Sequence, residues 1–422
     1  MTDFHVSRKK IAALMLIILA SRGTLFSQQT GTNELSLQER AFIAGKIYSS
    51  VNTYYAHWQA VPDLDFDAAF KEYLDHALKA SGRLEFDLAT LEFISKLRNG
   101  HTGFFDQWLR DNYGQPLGLA ALTIEGKWVV TRSAIEGVRV GDVILKVDET
   151  GMEDFFQQHR KYVFASDERA ERRNFFFHSH LWPNRFTLTF DDGRKVTIDR
   201  RAQHLGQPKY ETEGRWLTEG RIAYIKIPGF YDPKFQTDAI NFVKRFESAH
   251  MIIIDVRGNG GGSTPADLTK ALMDRPYRWW TEATPQTLAV LKYRGQYSNN
   301  PRFMWASEVV QPDNPIFKGK LILLTDGACA SACEDFVIPF KTNGRATIIG
   351  ETTFGSTGQP FNYEFGNGMR VFVGSIRTYM PDGSPFEGIG IAPDVEIRPR
   401  IEDLRRGIDA ALNRAMEEAR GS

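Results

Sequence analysis

Met251-Ile252-Ile253-Ile254-Asp255-Val256-Arg257-Gly258-Asn259-Gly260-Gly261-Gly262-Ser263 drives an unbroken apolar run into a loop of glycines, and a helical stretch from Pro265 to Met273 follows. The run does not alternate apolar with polar, so it predicts a strand covered on both faces, as inside a parallel sheet flanked by helices. A glycine loop between such a strand and a helix offers backbone N–H groups to an anion. Two anions suit that arrangement, a dinucleotide phosphate and an oxyanion formed during acyl transfer. The dinucleotide fingerprint asks for a glycine where Ser263 stands and for an acidic residue ending a second strand about twenty residues on. The sequence has neither, which weighs toward the oxyanion.

A second strand-to-helix junction lies downstream. Leu321-Ile322-Leu323-Leu324-Thr325-Asp326-Gly327-Ala328-Cys329-Ala330-Ser331-Ala332-Cys333-Glu334 runs from a buried-type strand through small residues to a serine that opens a helix. Ser331 is thereby presented as a nucleophile. The same Ser331-Ala332-Cys333-Glu334 also satisfies the capping-box pattern, in which the serine oxygen only accepts from a free amide of the first turn. Cys329 and Cys333 are the only cysteines. Four apart, they could face each other across a first helical turn, but the reading preferred from sequence is a pair of small buried thiols and no disulfide framework. A cysteine nucleophile is the competing assignment.

Outward from the core, the N-terminus bears on the compartment. Arg8, Lys9 and Lys10 precede an apolar run from Ile11 to Ala20, short for a bilayer span and followed by small and polar residues to Ser27. Residues 1–27 therefore read as a signal peptide or, left uncut, an N-terminal anchor. Export to a periplasmic or extracellular location is expected, with membrane association if the anchor stays. The chain has 422 residues, with 52 basic and 52 acidic side chains. Its length asks for two or three domains, and its balanced charge gives no footprint for nucleic acid.

Residues 33–110 form a helical subdomain by pattern. Leu35, Ala41, Ile43, Ile47 and Val51 make one apolar stripe, Phe66, Phe70, Leu74 and Leu78 a second, and Leu88, Leu91, Ile94 and Leu97 a third. Asn99-Gly100 reads as the stop of the third helix. His101 follows at once, on a connection held by a rigid element, where function often sits, although by itself the residue reads as an ordinary surface or half-buried loop histidine.

Residues 115–203 change to short strands and turns, with Phe186–Phe190 and Lys195–Ile198 joined by Asp191-Asp192-Gly193 as a hairpin. Val138-Arg139-Val140-Gly141-Asp142-Val143-Ile144-Leu145-Lys146-Val147-Asp148 resembles the turn and buried strand of a PDZ domain. That resemblance implies a peptide-binding edge, with Leu117, Gly118 and Leu119 as the loop that captures a carboxylate. His178 and His180 are spaced for a shared metal, but nothing in the sequence completes such a site.

Taken in order, Ile252 to Gly262, Ser331-Ala332-Cys333-Glu334, Gly344-Arg345-Ala346-Thr347-Ile348-Ile349-Gly350-Glu351-Thr352-Thr353-Phe354-Gly355 and Gly388-Ile389-Gly390-Ile391-Ala392-Pro393-Asp394-Val395 resemble the motifs of the C-terminal processing (tail-specific) serine peptidases and the related tricorn core proteases. The resemblance implies an α/β fold. It would consist of a ClpP/crotonase-like spiral catalytic core over residues 209–400, the helical N-terminal subdomain, the small β-rich PDZ-like domain and a C-terminal helix over 401–422. One position departs from the tail-specific branch: its activating lysine follows the Phe-Gly pair, where this chain has Ser356 after Phe354-Gly355. The tricorn-like branch uses a histidine after the N-terminal helices and a glutamate before the closing motif. His101 and Glu387 stand at those places.

The implied site is Ser331 as nucleophile, His101 as base and Glu387 as its orienting carboxylate, with the amides of Gly261 and Ala332 as the oxyanion hole. Serine is too weak a nucleophile unaided, and an imidazole titrating near ~6.5 can take its proton. No cofactor and no metal are implied. The substrates expected are proteins or peptides with extended segments. An inactive peptide-binding protein that keeps the fold is the alternative. Trp279, Trp280, Tyr293, Tyr297, Phe303 and Trp305 either line a peptide channel or pack the core. The last helix, expected over Ile401–Ala419, packs on the core or on a second subunit, which leaves an oligomer open.

Overall fold

The computed structural model describes residues 34–202, 209–286, 293–294 and 302–420. The signal-peptide segment 1–27 and Tyr297 lie outside them. Among the described residues no helix is long and apolar enough to cross a membrane.

Helices α1 (Leu37–Tyr54), α2 (Phe66–Lys79) and α3 (Arg83–Ser95) come first. The Ser36 hydroxyl accepts from Glu39 N–H while Glu39 reaches back to Ser36 N–H, a complete capping box, and Asp65 caps α2 through Ala68 N–H. Ile43, Ile47 and Val51 are buried as their spacing predicts, whereas Ala41 is exposed and Ala44 takes the inward place. The third helix stops at Ser95, before Asn99-Gly100, and Arg98 adopts a left-handed conformation in the turn that follows. Strand β1 (Gly103–Asp106) and helix α4 (Gln107–Tyr113) complete this part.

A β-rich module follows: β2 (Leu119–Ile124), β3 (Lys127–Ser133), β4 (Ile144–Val147), β5 (Thr150–Gly151), α5 (Met152–His159), α6 (Glu168–Asn174), β6 (Arg185–Phe190) and β7 (Lys195–Asp199). β2 and β3 form a hairpin, and the other four strands a sheet in the order β5-β4-β6-β7. Aromatics fill its core: Phe155, Phe156, Phe175, Phe176 and Trp182 pack with Trp128 and Phe186.

The central sheet runs β18-β14-β13-β10-β9-β8. Its strands are β8 (Glu213–Thr218), β9 (Ile222–Lys226), β10 (Met251–Asp255), β13 (Lys320–Thr325), β14 (Ala346–Gly350) and β18 (Val395–Glu396). β9, β10, β13, β14 and β18 are parallel, and only the edge strand β8 runs antiparallel. All five residues of β10 are buried. One face packs Ile252, Ile254, Leu321 and Leu323 against α7 (Pro233–Arg245), α8 (Ala266–Leu272) and the helix Ala332–Thr342. The other packs Ile253, Ile322 and Leu324 against the C-terminal helix around Ala415. Coverage on both sides is why this run shows no alternation.

The remaining strands are β11 (Thr281–Pro285), β12 (Arg302–Ala306), β15 (Pro360–Glu364), β16 (Met369–Gly374) and β17 (Arg377–Tyr379). Two features depart from the sequence reading. Residues 360–374, assigned to the core, form a hairpin that pairs with β1 and buries Met369, Val371 and Val373 among the N-terminal helices. The expected single terminal helix is two, Ile401–Arg406 and Ala410–Arg420, separated where Gly407 turns left-handed.

Candidate active site

The site is assembled from three connections around the C-terminal ends of the parallel strands. β13 feeds the turn that ends at Ser331, β10 feeds the glycine loop, and β14 feeds the segment 351–358. His101 arrives from the N-terminal subdomain.

Ser331 occupies φ 55°, ψ −126° immediately before the helix Ala332–Thr342. A non-glycine residue there is strained, and such strain is characteristic of nucleophiles held at the head of a strand-to-helix turn. Two hydrogen bonds hold the backbone there: Ser331 N–H donates to Ser356 O at 3.0 Å, and Glu334 Oε2 accepts from the same N–H at 3.3 Å. The second is the reciprocal arm of a capping box, so that part of the capping reading is present. The hydroxyl itself lies 3.2 Å from His101 Nε2.

His101 is positioned by its neighbours. Asn99, buried, accepts from His101 N–H at 3.1 Å and from the Thr102 hydroxyl at 2.9 Å, and Gly100 N–H donates to Ser166 Oγ at 3.0 Å. The other ring nitrogen, Nδ1, is 2.8 Å from Ser356 Oγ. Burial pulls the imidazole well below its ordinary value, to about 4, so it is neutral and able to accept a proton near pH 7.

Glu387 does not contact His101, contrary to the direct pairing expected from sequence. Ser356 intervenes. The Glu387 carboxyl accepts from Thr357 N–H at 3.2 Å and lies under the influence of the Ser356 hydroxyl, while its Oε2 makes no hydrogen bond. Burial pushes this carboxyl up; the Arg377 guanidinium, the Thr357 amide and the Ser356 hydroxyl oppose that. His57, also buried, sits with Nδ1 4.0 Å from Glu387 Oε2. The physical reason for the intervening serine is space. The side chain at 356 is fully buried between the two groups, and a Cβ on Gly100 would already lie 3.1 Å from its hydroxyl.

Glu334 was read from sequence only as a capping residue, yet it ties the helix that Ser331 opens to the segment 353–356. It is fully buried and accepts from the Thr353 hydroxyl at 2.5 Å, Gly355 N–H at 2.7 Å and Ser356 N–H at 3.0 Å. Desolvation nevertheless raises it to about 8. Asp335 adds a second tie through the hydroxyls of Thr264 (2.6 Å) and Thr357 (2.9 Å) and through Trp280 Nε1 (2.8 Å). Trp280 is buried against Phe386, so this aromatic packs the core.

The oxyanion assignment divides. Ala332 N–H begins the helix with no acceptor among the described residues. Gly261 N–H donates to Asn259 Oδ1 at 2.9 Å and is therefore not free, a departure from the expected pair. What Gly261 supplies is the lack of a side chain: at φ 95°, a Cβ there would stand 2.7 Å from Ser331 Cβ and 2.8 Å from Ala332 N.

Cys329 and Cys333 form a disulfide with their Cα atoms 5.3 Å apart, which replaces the expected pair of free thiols. The turn between them brings the two Cα atoms within bonding range. It also removes both sulfurs from the list of nucleophiles.

In the β-rich module, Leu117 and Leu119 are buried and Gly118 adopts φ 76°, its carbonyl accepting from Ala134 N–H. This trio thus forms the root of the β2–β3 hairpin. From α6, Arg169 donates to the carbonyls of Thr353 (3.0 Å), Phe354 (2.9 Å) and Ile389 (3.3 Å), fastening the module to the segment that carries Ser356. The His178 and His180 rings are 5.6 Å apart, and among the described residues no group of three His, Cys, Asp or Glu side chains could hold a metal ion.

Residues 221–397 match the family Peptidase family S41. The chain is 26% identical over 214 residues to the carboxy-terminal-processing protease of Bartonella bacilliformis, covering 49% of this chain and 45% of that protein. It is 28% identical over 183 residues to carboxyl-terminal-processing peptidase 3, chloroplastic, of Arabidopsis thaliana, covering 42% and 32%. The chain thus spans less than half the length of these relatives. In fold it is similar to mature CPAF complexed with lactacystin, at TM-score 0.68 and 16% identity over 90% of this chain and 97% of that one. The photosystem II D1 C-terminal processing protease gives 0.52 and 20% over 88% and 98%. The mixed α/β architecture is shared with both.

Proposed function

We propose that this chain, whose residues 221–397 carry the core of peptidase family S41, is an exported serine peptidase that cleaves extended polypeptide segments through an acyl-enzyme. The observation that carries the reading is the bracketing of one imidazole by two hydroxyls. His101 Nε2 lies 3.2 Å from Ser331 Oγ and Nδ1 lies 2.8 Å from Ser356 Oγ. Ser331 would attack the scissile carbonyl while His101 Nε2 takes its proton. The imidazolium so formed donates from Nδ1 to Ser356, whose own hydroxyl turns to Glu387. Serine here does what the carboxylate does directly in a Ser-His-Asp triad: it fixes the tautomer and passes on the stabilising charge. Glu387 then acts one bond further away.

Ala332 N–H would donate to the oxyanion at a helix N-terminus, where the macrodipole adds to the hydrogen bond. The second donor would come from the glycine loop once Asn259 Oδ1 releases Gly261 N–H. The Leu117-Gly118-Leu119 turn and the β2 edge would receive substrate chain as an added strand. Export is supported by the basic-then-apolar N-terminal segment and by a disulfide, which suits an oxidising compartment.

The competing reading, a peptide-binding protein that has lost catalysis, calls for a dispersed triad, which the Ser331–His101 separation does not favour. The deciding experiment incubates the chain with an unstructured protein in chelator and maps products by mass spectrometry, beside a Ser331→Ala variant. Products from the unaltered chain alone are expected. Products from both would move the nucleophile elsewhere, and none from either would favour the binding protein.

A further inference from the structure

A cavity of about 480 Å³ opens away from Ser331, between α3, β1, α4, β16 and the turn at residues 177–180. Its size falls within the range of small-molecule sites. Leu91, Phe104, Leu109, Phe164 and Phe372 give it an apolar and aromatic interior, and Phe177, 72% exposed, stands among its lining residues.

Its charged side chains are Arg110, Arg370 and Asp106, beside the neutral polar groups of His178, Ser179 and His180. Arg110 has no acidic partner among the described residues. Arg370 lies with its guanidinium 4.9 Å from the Phe105 ring centre and 3.9 Å from Glu364, a loose ion pair that a ligand can replace. The carboxylate in the wall, Asp106, is already neutralised by Arg83 through contacts of 2.6 and 2.7 Å.

We propose that this cavity binds a monocarboxylate with an apolar body, its carboxylate set between Arg110 and Arg370 and its aromatic or alkyl part among Phe104, Leu109 and Phe372. Nothing in the catalytic assignment requires this ligand, although β1 begins two residues after His101. The same chemistry is offered by a free alkyl or aromatic acid and by a polypeptide ending in an apolar residue.

The test is isothermal titration of the full chain carrying Ser331→Ala, so that no ligand is consumed. The probes are decanoate and 4-phenylbutyrate, their amides, and a short peptide ending in Leu-Phe as free acid and as amide. One-to-one binding of an acid is expected, weakened about tenfold or more in its amide and in the Arg110→Ala/Arg370→Ala double variant. Leu109→Trp, which fills the interior, is expected to abolish it. Binding by the small acids alone identifies a free acid as the source, and binding by the peptide acid alone identifies a chain terminus. Equal affinity for acid and amide, native affinity in the double arginine variant, or no saturable binding at millimolar ligand overturns the proposal.

Discussion

Ser356→Ala isolates the relay. The substitution removes one oxygen from a fully buried position and leaves the backbone contacts intact, since Ser331 N–H bonds to the carbonyl of residue 356 and Glu334 to its amide. What disappears is the acceptor 2.8 Å from His101 Nδ1. In the transition state that nitrogen is part of an imidazolium, so the lost bond is of the charged class, worth roughly 1.5–3 kcal/mol. At about 1.36 kcal/mol per decade, kcat/KM should fall roughly 10- to 150-fold. The loss should lie in kcat, with KM nearly unchanged, because the bond strengthens only as charge develops. Initial rates on a fluorogenic peptide chosen from the mapped cleavage sites would measure it, with the thermal midpoint as a control for folding. A variant of native stability whose kcat/KM stays within about threefold of the unaltered chain would refute the relay.

Four further outcomes are expected. Glu387→Gln, which fixes this side chain in its uncharged form, should lower kcat/KM across the pH range and move the acid limb downward: with Glu387, held above the usual carboxylate range, no longer titrating, the remaining loss follows His101 protonation at about 4. The lowered activity then holds while pH exceeds that value and disappears below it, and an unmoved limb or undiminished plateau in a pH–rate profile would contradict the assignment. Gly261→Ala should lower kcat at least about 100-fold, since its Cβ would meet Ser331 Cβ at 2.7 Å and Ala332 N at 2.8 Å, whereas Gly260→Ala meets nothing within 4 Å and serves as the control in the same assay. Arg169→Ala, which frees the carbonyls of Thr353, Phe354 and Ile389, should reduce kcat with little change in unfolding midpoint, read by paired kinetics and calorimetry. Replacing Cys329 and Cys333 together by alanine should cost about 2 kcal/mol in a denaturant titration, the chain-entropy value for so short a loop, and the unaltered protein should lose a similar amount under reductant.

Much of the site was legible because its parts are local. The buried run Met251–Val256, the glycine loop and the strand-to-helix turn at Ser331 each announce themselves within a dozen residues. The helix before His101 fixed only its loop, and its role as base came from the resemblance to the tricorn-like branch. What was hidden depends on residues far apart in the chain. Ser356 was visible only as an absent lysine; that its hydroxyl meets an imidazole 255 positions away follows from packing, which no window of sequence contains. The engagement of Gly261 N–H depends on the side-chain rotamer of Asn259. The hairpin at 360–374 lay within the range assigned to the core, and its transfer to the N-terminal helices is decided by pairing with β1. Gly407 could have been read as a helix break, being a glycine inside an otherwise apolar-periodic stretch.

The division of labour along the chain has a chemical consequence. A lysine after the Phe-Gly pair would put nucleophile and base in the same core segment. With serine there, the segment 221–397 holds Ser331, Ser356 and Glu387, and the proposed base, His101, comes from a loop outside it. That loop is fixed from both sides: Asn99 holds the His101 backbone, and β1, two residues on, is paired with β16, which the core itself sends out. Phe372 of β16 lies against Gly103, where even a Cβ would come within 2.2 Å of its ring. The fold therefore places the imbalance created at residue 356 under the control of the N-terminal subdomain. On the proposed mechanism, a shift of β1 against β16 by about 1 Å would lengthen the 3.2 Å contact between His101 and Ser331 and lower the rate on the order of 10²-fold with no substitution in the segment 221–397.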